Sequence, residues 1–116
     1  MNHQESPYLS VVIPVFNEFE SVKDTINQLN NELSKAKVNY EIVVVNDGSD
    51  DGTAEILSEV NGIILVNRSI NMGYGYSIKE GIQKASADKI MIIDADGSYP
   101  VNMIQELLKH AKENSM

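Results

Sequence analysis

The chain has no cysteine. That excludes a disulfide framework and any zinc site built on thiolates. It also lacks a basic surplus, because the formal net charge is −8. Non-specific nucleic-acid binding needs a basic footprint, as does docking on anionic lipid, so neither is expected of this segment. No apolar run approaches the roughly 20 residues that cross a bilayer. Residues Met1 to Pro7 are polar and lack the apolar centre of a signal peptide. These absences together lead to the expectation of a cytoplasmic protein. Internal repeats, low-complexity tracts and linkers are missing as well. A chain of 116 residues of which 42% are apolar is then expected to form one domain, residues 1–116, around a core of its own.

What is present alternates between strand and helix signals. Leu9 to Ile13 is a β-rich run that meets Pro14. Val22, Ile26, Leu29 and Leu33 follow at steps of four, three and four, the stripe of an amphipathic helix. Asn17 with Glu20 three residues on resembles a capping box ahead of it. Tyr40 to Val45 reads as a second strand and Thr53 to Val60 as a short helix. Ile63 to Val66 reads as a third strand. Ile78, Ile82 and Ala85 mark a helix after the turn at Gly73 and Gly75, and Lys89 to Ile93 a fourth strand. Pro100 suits the first position of a last helix with Ile104, Leu107, Leu108 and Ala111 inside. Short apolar strands separated by helices predict a Rossmann-like, doubly wound parallel α/β sheet, in the order 3-2-1-4.

The fourth strand stops at two carboxylates one residue apart, Asp94-Ala95-Asp96-Gly97-Ser98-Tyr99-Pro100. Open α/β sheets bind ligands at the carboxyl ends of their strands. Two hard oxygen donors so close suit Mg²⁺ or Mn²⁺, which commonly complete their shells with phosphate and water. The same residues are also turn formers, and a solvated turn is the simpler reading of the motif taken alone. In the order 3-2-1-4 the switch point falls between strands one and four. Asn17 and Glu18, Asp47 and Ser49, and Asp94 and Asp96 would then converge on one crevice.

Four segments in order resemble the inverting, A-type-fold glycosyltransferases that include the polyprenyl- and dolichyl-phosphate sugar synthases. They are Ser10 to Glu18, Ile42 to Thr53, Asn67-Arg68 through Asn71-Met72-Gly73-Tyr74-Gly75, and Asp94 to Pro100. The resemblance covers about residues 9 to 110 and implies a nucleotide-diphospho-sugar donor, of UDP or GDP type. It also implies a lipid-phosphate or glycan acceptor. By the family pattern the first loop, Pro14, Phe16, Asn17 and Glu18, wraps base and ribose. Asp47 contacts the base, since a carboxylate accepts the N–H groups of uracil or guanine. Asp94, Ala95 and Asp96 hold the diphosphate, with Asp94 and Asp96 as ligands of Mg²⁺ or Mn²⁺. Pro14 also serves as a strand terminator, and Phe16 equally as a core aromatic. Asp50 and Asp51, with Ser49 and Thr53 as alternatives, would cap the short helix. Arg68 would either approach the phosphates or lie solvated on the surface. Gly73 and Gly75 are read as turn and close-packing glycines, and His3 and His110 receive no role.

Two other classes compete. A haloacid-dehalogenase-type phosphohydrolase also opens with an apolar strand and D-x-D-G-[ST], its first Asp a nucleophile and its second a general acid. Residues 97–116 leave no room for that family's later strands. A non-catalytic nucleotide-binding or receiver module would need an acidic cluster after strand one and an Asp after strand three, where Asn17-Glu18 and Asn67-Arg68 stand. The resemblance also implies a second half carrying the acceptor site and the catalytic base, expected beyond residue 116. The chain is thus read as the donor-binding part of a truncated A-type fold, inactive alone. Strand four would be left as a sheet edge, which invites self-association.

Overall fold

The computed structural model describes residues 6–98 together with Ile104 and Glu106. A four-stranded parallel sheet has the order β3-β2-β1-β4, as predicted. Its strands are β1 (Leu9–Val15), β2 (Tyr40–Asp47), β3 (Ile64–Arg68) and β4 (Lys89–Ile92). Helices α1 (Val22–Ala36), α2 (Thr53–Ser58) and α3 (Tyr74–Lys84) make the crossovers.

All seven residues of β1 are buried because the central strand is covered on both faces. On one face Val11, Ile13, Ile42 and Val44 pack with Val22, Ile26, Leu29 and Leu33 of α1 and Leu57 of α2. Each such side chain taken from water contributes about 1.5–3 kcal/mol. Ile104 is helical and buried in the same cluster. The rest of the expected last helix lies outside the described residues, as do His3 and His110. Val12, Val43 and Val45 form the opposite face, against which α3 packs.

The inner face of α3 is not the expected one. Ser77 and Gly81 are buried, whereas Ile82 is 44% exposed. A Cβ at Gly81 would meet Val12 Cγ1 at 2.4 Å, so the helix lies too close to the sheet for an isoleucine beneath it. Gly75 has open space around its Cβ position and is not a packing glycine. The apolar run of β4 is only partly covered. Its residues are half-buried or exposed, Ile92 at 39%, because it is a sheet edge. Ile93 alone in that run is buried, just past the strand.

The crevice arises from unequal strand lengths. β4 pairs with β1 only from Leu9 to Val12, with a last bond from Ile93 N to Val12 O. β1 and β2 continue in register to Val15 and Asn46. In a strand the backbone groups of residues two apart point the same way. Pro14 therefore faces the side that β4 has left, where its missing N–H breaks no pairing. At the other end of the sheet Glu41 accepts from Ser10 Oγ (2.6 Å), Ser86 N (2.6 Å) and Ser86 Oγ (2.9 Å). This ties the segment before β4 to the sheet. Burial pushes the Glu41 carboxyl up, but these bonds outweigh it and hold it below its ordinary value.

Candidate functional site

The first and second loops lock together by reciprocal bonds. Asn17 takes a left-handed conformation, φ 54°, which asparagine tolerates better than most residues. Its N–H donates to Ser49 Oγ (2.9 Å) and its Oδ1 accepts from Asp50 N (2.8 Å). Glu18 N donates to Thr53 Oγ1 (3.2 Å) and Phe19 N to Asp51 Oδ2 (3.2 Å). The expected capping box of Asn17 and Glu20 does not form, because Asn17 is committed to the second loop. α1 instead starts after Ser21. The N-cap of α2 is Gly52, not one of the expected side chains; Asp51, just before it, accepts from Thr53 N at 3.1 Å. Asp50 contributes its own N–H to Asn17.

The second and third loops are joined at Asp47, whose side chain is almost fully buried. Its Oδ1 accepts from Arg68 Nη2 (2.8 Å), Arg68 Nε (3.2 Å) and Met72 N (2.8 Å); its Oδ2 accepts from Gly73 N (2.9 Å). Burial raises the Asp47 carboxyl, yet the bonds from Met72, Arg68 and Gly73 and the guanidinium charge bring it below its ordinary value. Gly48 permits this approach: at φ 74° its Cβ would sit 2.5 Å from Asn71 N. Arg68 is therefore neither a solvated arginine nor a free phosphate ligand. It pairs with Asp47 and Glu80, donates from Nη2 to Ser77 Oγ at 2.7 Å, and lies 5.0 Å from the Tyr76 ring centre.

The fourth loop is held from two sides. Ser21 Oγ donates to the Ala95 carbonyl at 2.7 Å, and Thr25 Oγ1 to the same oxygen at 3.4 Å. From α3, Tyr74 Oη donates to Asp94 Oδ1 at 2.9 Å, and that bond first of all pushes the phenol above its ordinary value. Asp96 Oδ1 accepts from Ser98 Oγ and Ser98 N, which holds its carboxyl below the ordinary range.

These loops enclose a cavity of about 260 Å³. Of the residues that the sequence nominates, Pro14, Phe16, Glu18, Asp47, Asp94, Ala95 and Asp96 line it. Asn17 does not; it lines a neighbouring groove with Glu18, Phe19, Glu20 and Asp51. Val15, Tyr74 and Ser77 complete the lining, and sequence reasoning gave none of them a role. Tyr74 carries a weak signal, an aromatic at the start of a helix after Gly73. Ser21 carries none, since its partner is a backbone carbonyl 74 positions away.

Among the described residues no lysine or arginine lines the cavity. Asp94 and Asp96 are exposed hard-oxygen donors at its floor, a donor set that fits Mg²⁺ or Mn²⁺. Among the described residues no group of three or more His, Cys, Asp or Glu could hold a metal alone. Two carboxylates would leave most of the shell to phosphate and water.

Comparison with known proteins decides the family. Residues 10–116 match glycosyl transferase family 2. The chain belongs to that family. It is 35% identical over 116 residues to the dolichyl-phosphate beta-glucosyltransferase of Trichomonas vaginalis, covering 92% of this chain and 36% of that protein. The fold matches the mannosyltransferase of Pyrobaculum calidifontis, a structure in complex with GDP-Man and Mn²⁺. There the TM-score is 0.74 at 20% identity, over 97% of this chain and 34% of that one. It also matches glucosyl-3-phosphoglycerate synthase of Mycobacterium tuberculosis in complex with Mn²⁺, UDP and glucosyl-3-phosphoglycerate. The TM-score is 0.73 at 23% identity, over 93% of this chain and 40% of that one. This family 2 chain has the A-type glycosyltransferase fold and spans about a third of the length of the curated relatives it matches.

Proposed function

We propose that this chain, residues 1–116, is the donor-binding domain of an inverting glycosyltransferase. It holds a nucleotide-diphospho-sugar with a divalent cation for sugar transfer to a lipid-phosphate or glycan acceptor. The observation that carries the reading is the acidic lining of the cavity. Glu18, Asp47, Asp94 and Asp96 meet there with no basic side chain among the described residues, and the one arginine of the chain is spent on Asp47 and Glu80. A diphosphate can enter such a site only with its charge neutralised. Asp94 and Asp96 are the residues that would hold Mn²⁺ or Mg²⁺. When bound, the cation stabilises charge developing on the leaving nucleoside diphosphate.

The remaining roles follow from position. Pro14, Phe16 and Glu18 border the space for base and ribose. Asn17 acts from behind, by fixing the first loop to the second. Asp47 serves the base through Oδ2, which accepts only from Gly73 N among the described residues. The Ala95 backbone, anchored by Ser21, sets the spacing of the two carboxylates. A volume of about 260 Å³ is small beside the roughly 300–1,000 Å³ of complete ligand pockets, which fits a donor half-site. The catalytic base and acceptor groups belong to the two thirds of the relatives' length that this chain does not span.

Among the described residues no helix is long and apolar enough to cross a membrane. A lipid-phosphate acceptor would bring the reaction to a membrane surface, on our reading its cytoplasmic face. The unpaired edge of β4 is a surface for self-association.

The test is product analysis. The 116-residue chain should bind donor but neither transfer sugar nor hydrolyse p-nitrophenyl phosphate. Absence of a general base alone costs about 10²- to 10⁴-fold, and acceptor positioning more. With the missing part supplied, transfer should proceed with inversion at the anomeric carbon, read by NMR. Metal-dependent phosphatase turnover abolished by Asp94→Asn would instead favour the phosphohydrolase that family membership now argues against.

A further inference from the structure

One hydroxyl joins two loops that lie far apart in sequence. Tyr74 is 57% exposed, yet its Oη sits 2.9 Å from Asp94 Oδ1. This is the one hydrogen bond that the Asp94 carboxylate makes among the described residues. Asp96 is secured locally by Ser98; Asp94 has no such neighbour.

The position of Tyr74 is fixed from behind. Gly73, immediately before it, donates its N–H to Asp47 Oδ2, and Met72 donates to Asp47 Oδ1. Asn71 Nδ2 donates to the Asp47 carbonyl at 3.1 Å. Ser77, one turn along α3, is buried and accepts from Arg68. A buried, fully bonded cluster thus seats the first turn of α3, and that turn carries the phenol to the metal motif.

We propose that Tyr74 is a positioning residue of the donor site. Its hydroxyl engages Asp94 Oδ1 and so leaves Oδ2 presented to the cation that accompanies the diphosphate. The inference rests on the donor-site reading above. An exposed aspartate otherwise samples several rotamers, and ligating carboxylates are characteristically oriented by hydrogen bonds from a second layer of residues. Asp47 then has two consequences at once, one at the base and one, through Gly73 and Tyr74, at the metal.

Tyr74→Phe tests this, because it keeps the ring in the cavity wall and removes only the hydroxyl. Binding of UDP and GDP with Mn²⁺ is measured by calorimetry, Mn²⁺ occupancy by electron paramagnetic resonance, and binding of uridine and guanosine without metal in parallel. We expect metal-supported diphosphate affinity and Mn²⁺ occupancy to fall by about tenfold, with nucleoside affinity and thermal stability unchanged. Equal Mn²⁺-supported affinity in Tyr74→Phe and the parent chain overturns the positioning role and leaves the donor site standing. A parallel loss of nucleoside affinity also overturns it, by making the hydroxyl a base contact. A parent chain that binds neither diphosphate more tightly with Mn²⁺ sinks the donor-site reading itself.

Discussion

Arg68 Nη2 lies 2.8 Å from Asp47 Oδ1, and both side chains are largely withdrawn from water. The ends of β2 and β3 are thereby joined beneath the cavity. Removing one member of such a pair strands the other charge.

Arg68→Met should therefore act on stability. Breaking a buried pair costs about 3–5 kcal/mol when burial is complete, and the 14% exposure of Arg68 places the expected loss toward the lower figure. Urea denaturation measures it. A variant as stable as the parent, but with weakened diphosphate binding, would return Arg68 to the phosphates.

Two glycines should respond in opposite directions. Gly48→Ala forces a side chain into φ 74° and against the Asn71 backbone, so a loss of at least about 1–3 kcal/mol is expected. Gly75→Ala places a methyl in open space on a helix and should stabilise by about 0.5 kcal/mol. Thermal melts of the two variants give the comparison.

Acid should weaken the loop assembly in a defined window. Asp47 is held below its ordinary value by the bonds from Met72, Arg68 and Gly73, which overcome burial. A depressed folded-state pKa gives stability that is fully present above the unfolded value, about 4. It is lost as pH falls through the folded value. Asp47→Asn should be destabilised near neutral pH, and its deficit against the parent should shrink below about pH 4. Urea midpoints across that range check the sign; a deficit independent of pH would show that charge is not the cause.

Much of this architecture was legible in the sequence because burial repeats along it. The strand order and the D-x-D motif at the end of β4 follow from apolar runs and their spacing. Seven of the eight nominated site residues share one cavity for the same reason. The misses have a common origin in contacts that no local period records. Ile78 and Ile82 suggested an inner face for α3, but the approach to Val12 admits only Ser77 and Gly81. Pro14 looked like a strand end and is paired inside β1, because its missing N–H faces the gap beside β4. Asn17 lines the neighbouring groove and not this cavity, because its bonds to Ser49 and Asp50 pin it to the second loop. Arg68 offered two readings, and its partners are instead Asp47 and Glu80, each on a different element.

The central claim is that Asp94 and Asp96 make nucleoside diphosphate binding depend on a divalent cation. Calorimetry of UDP and GDP with and without Mn²⁺, on the parent chain and on Asp96→Asn, tests it most directly. Two carboxylates alone would leave most of the shell unfilled, so Mn²⁺ alone should bind weakly, and one of the diphosphates should bind at least about tenfold more tightly in its presence. In Asp96→Asn the advantage of metal should largely vanish while the melting temperature holds, since Asp96 is exposed. Binding of equal strength with and without Mn²⁺, or an Asp96→Asn variant that keeps the full metal effect, would contradict the account.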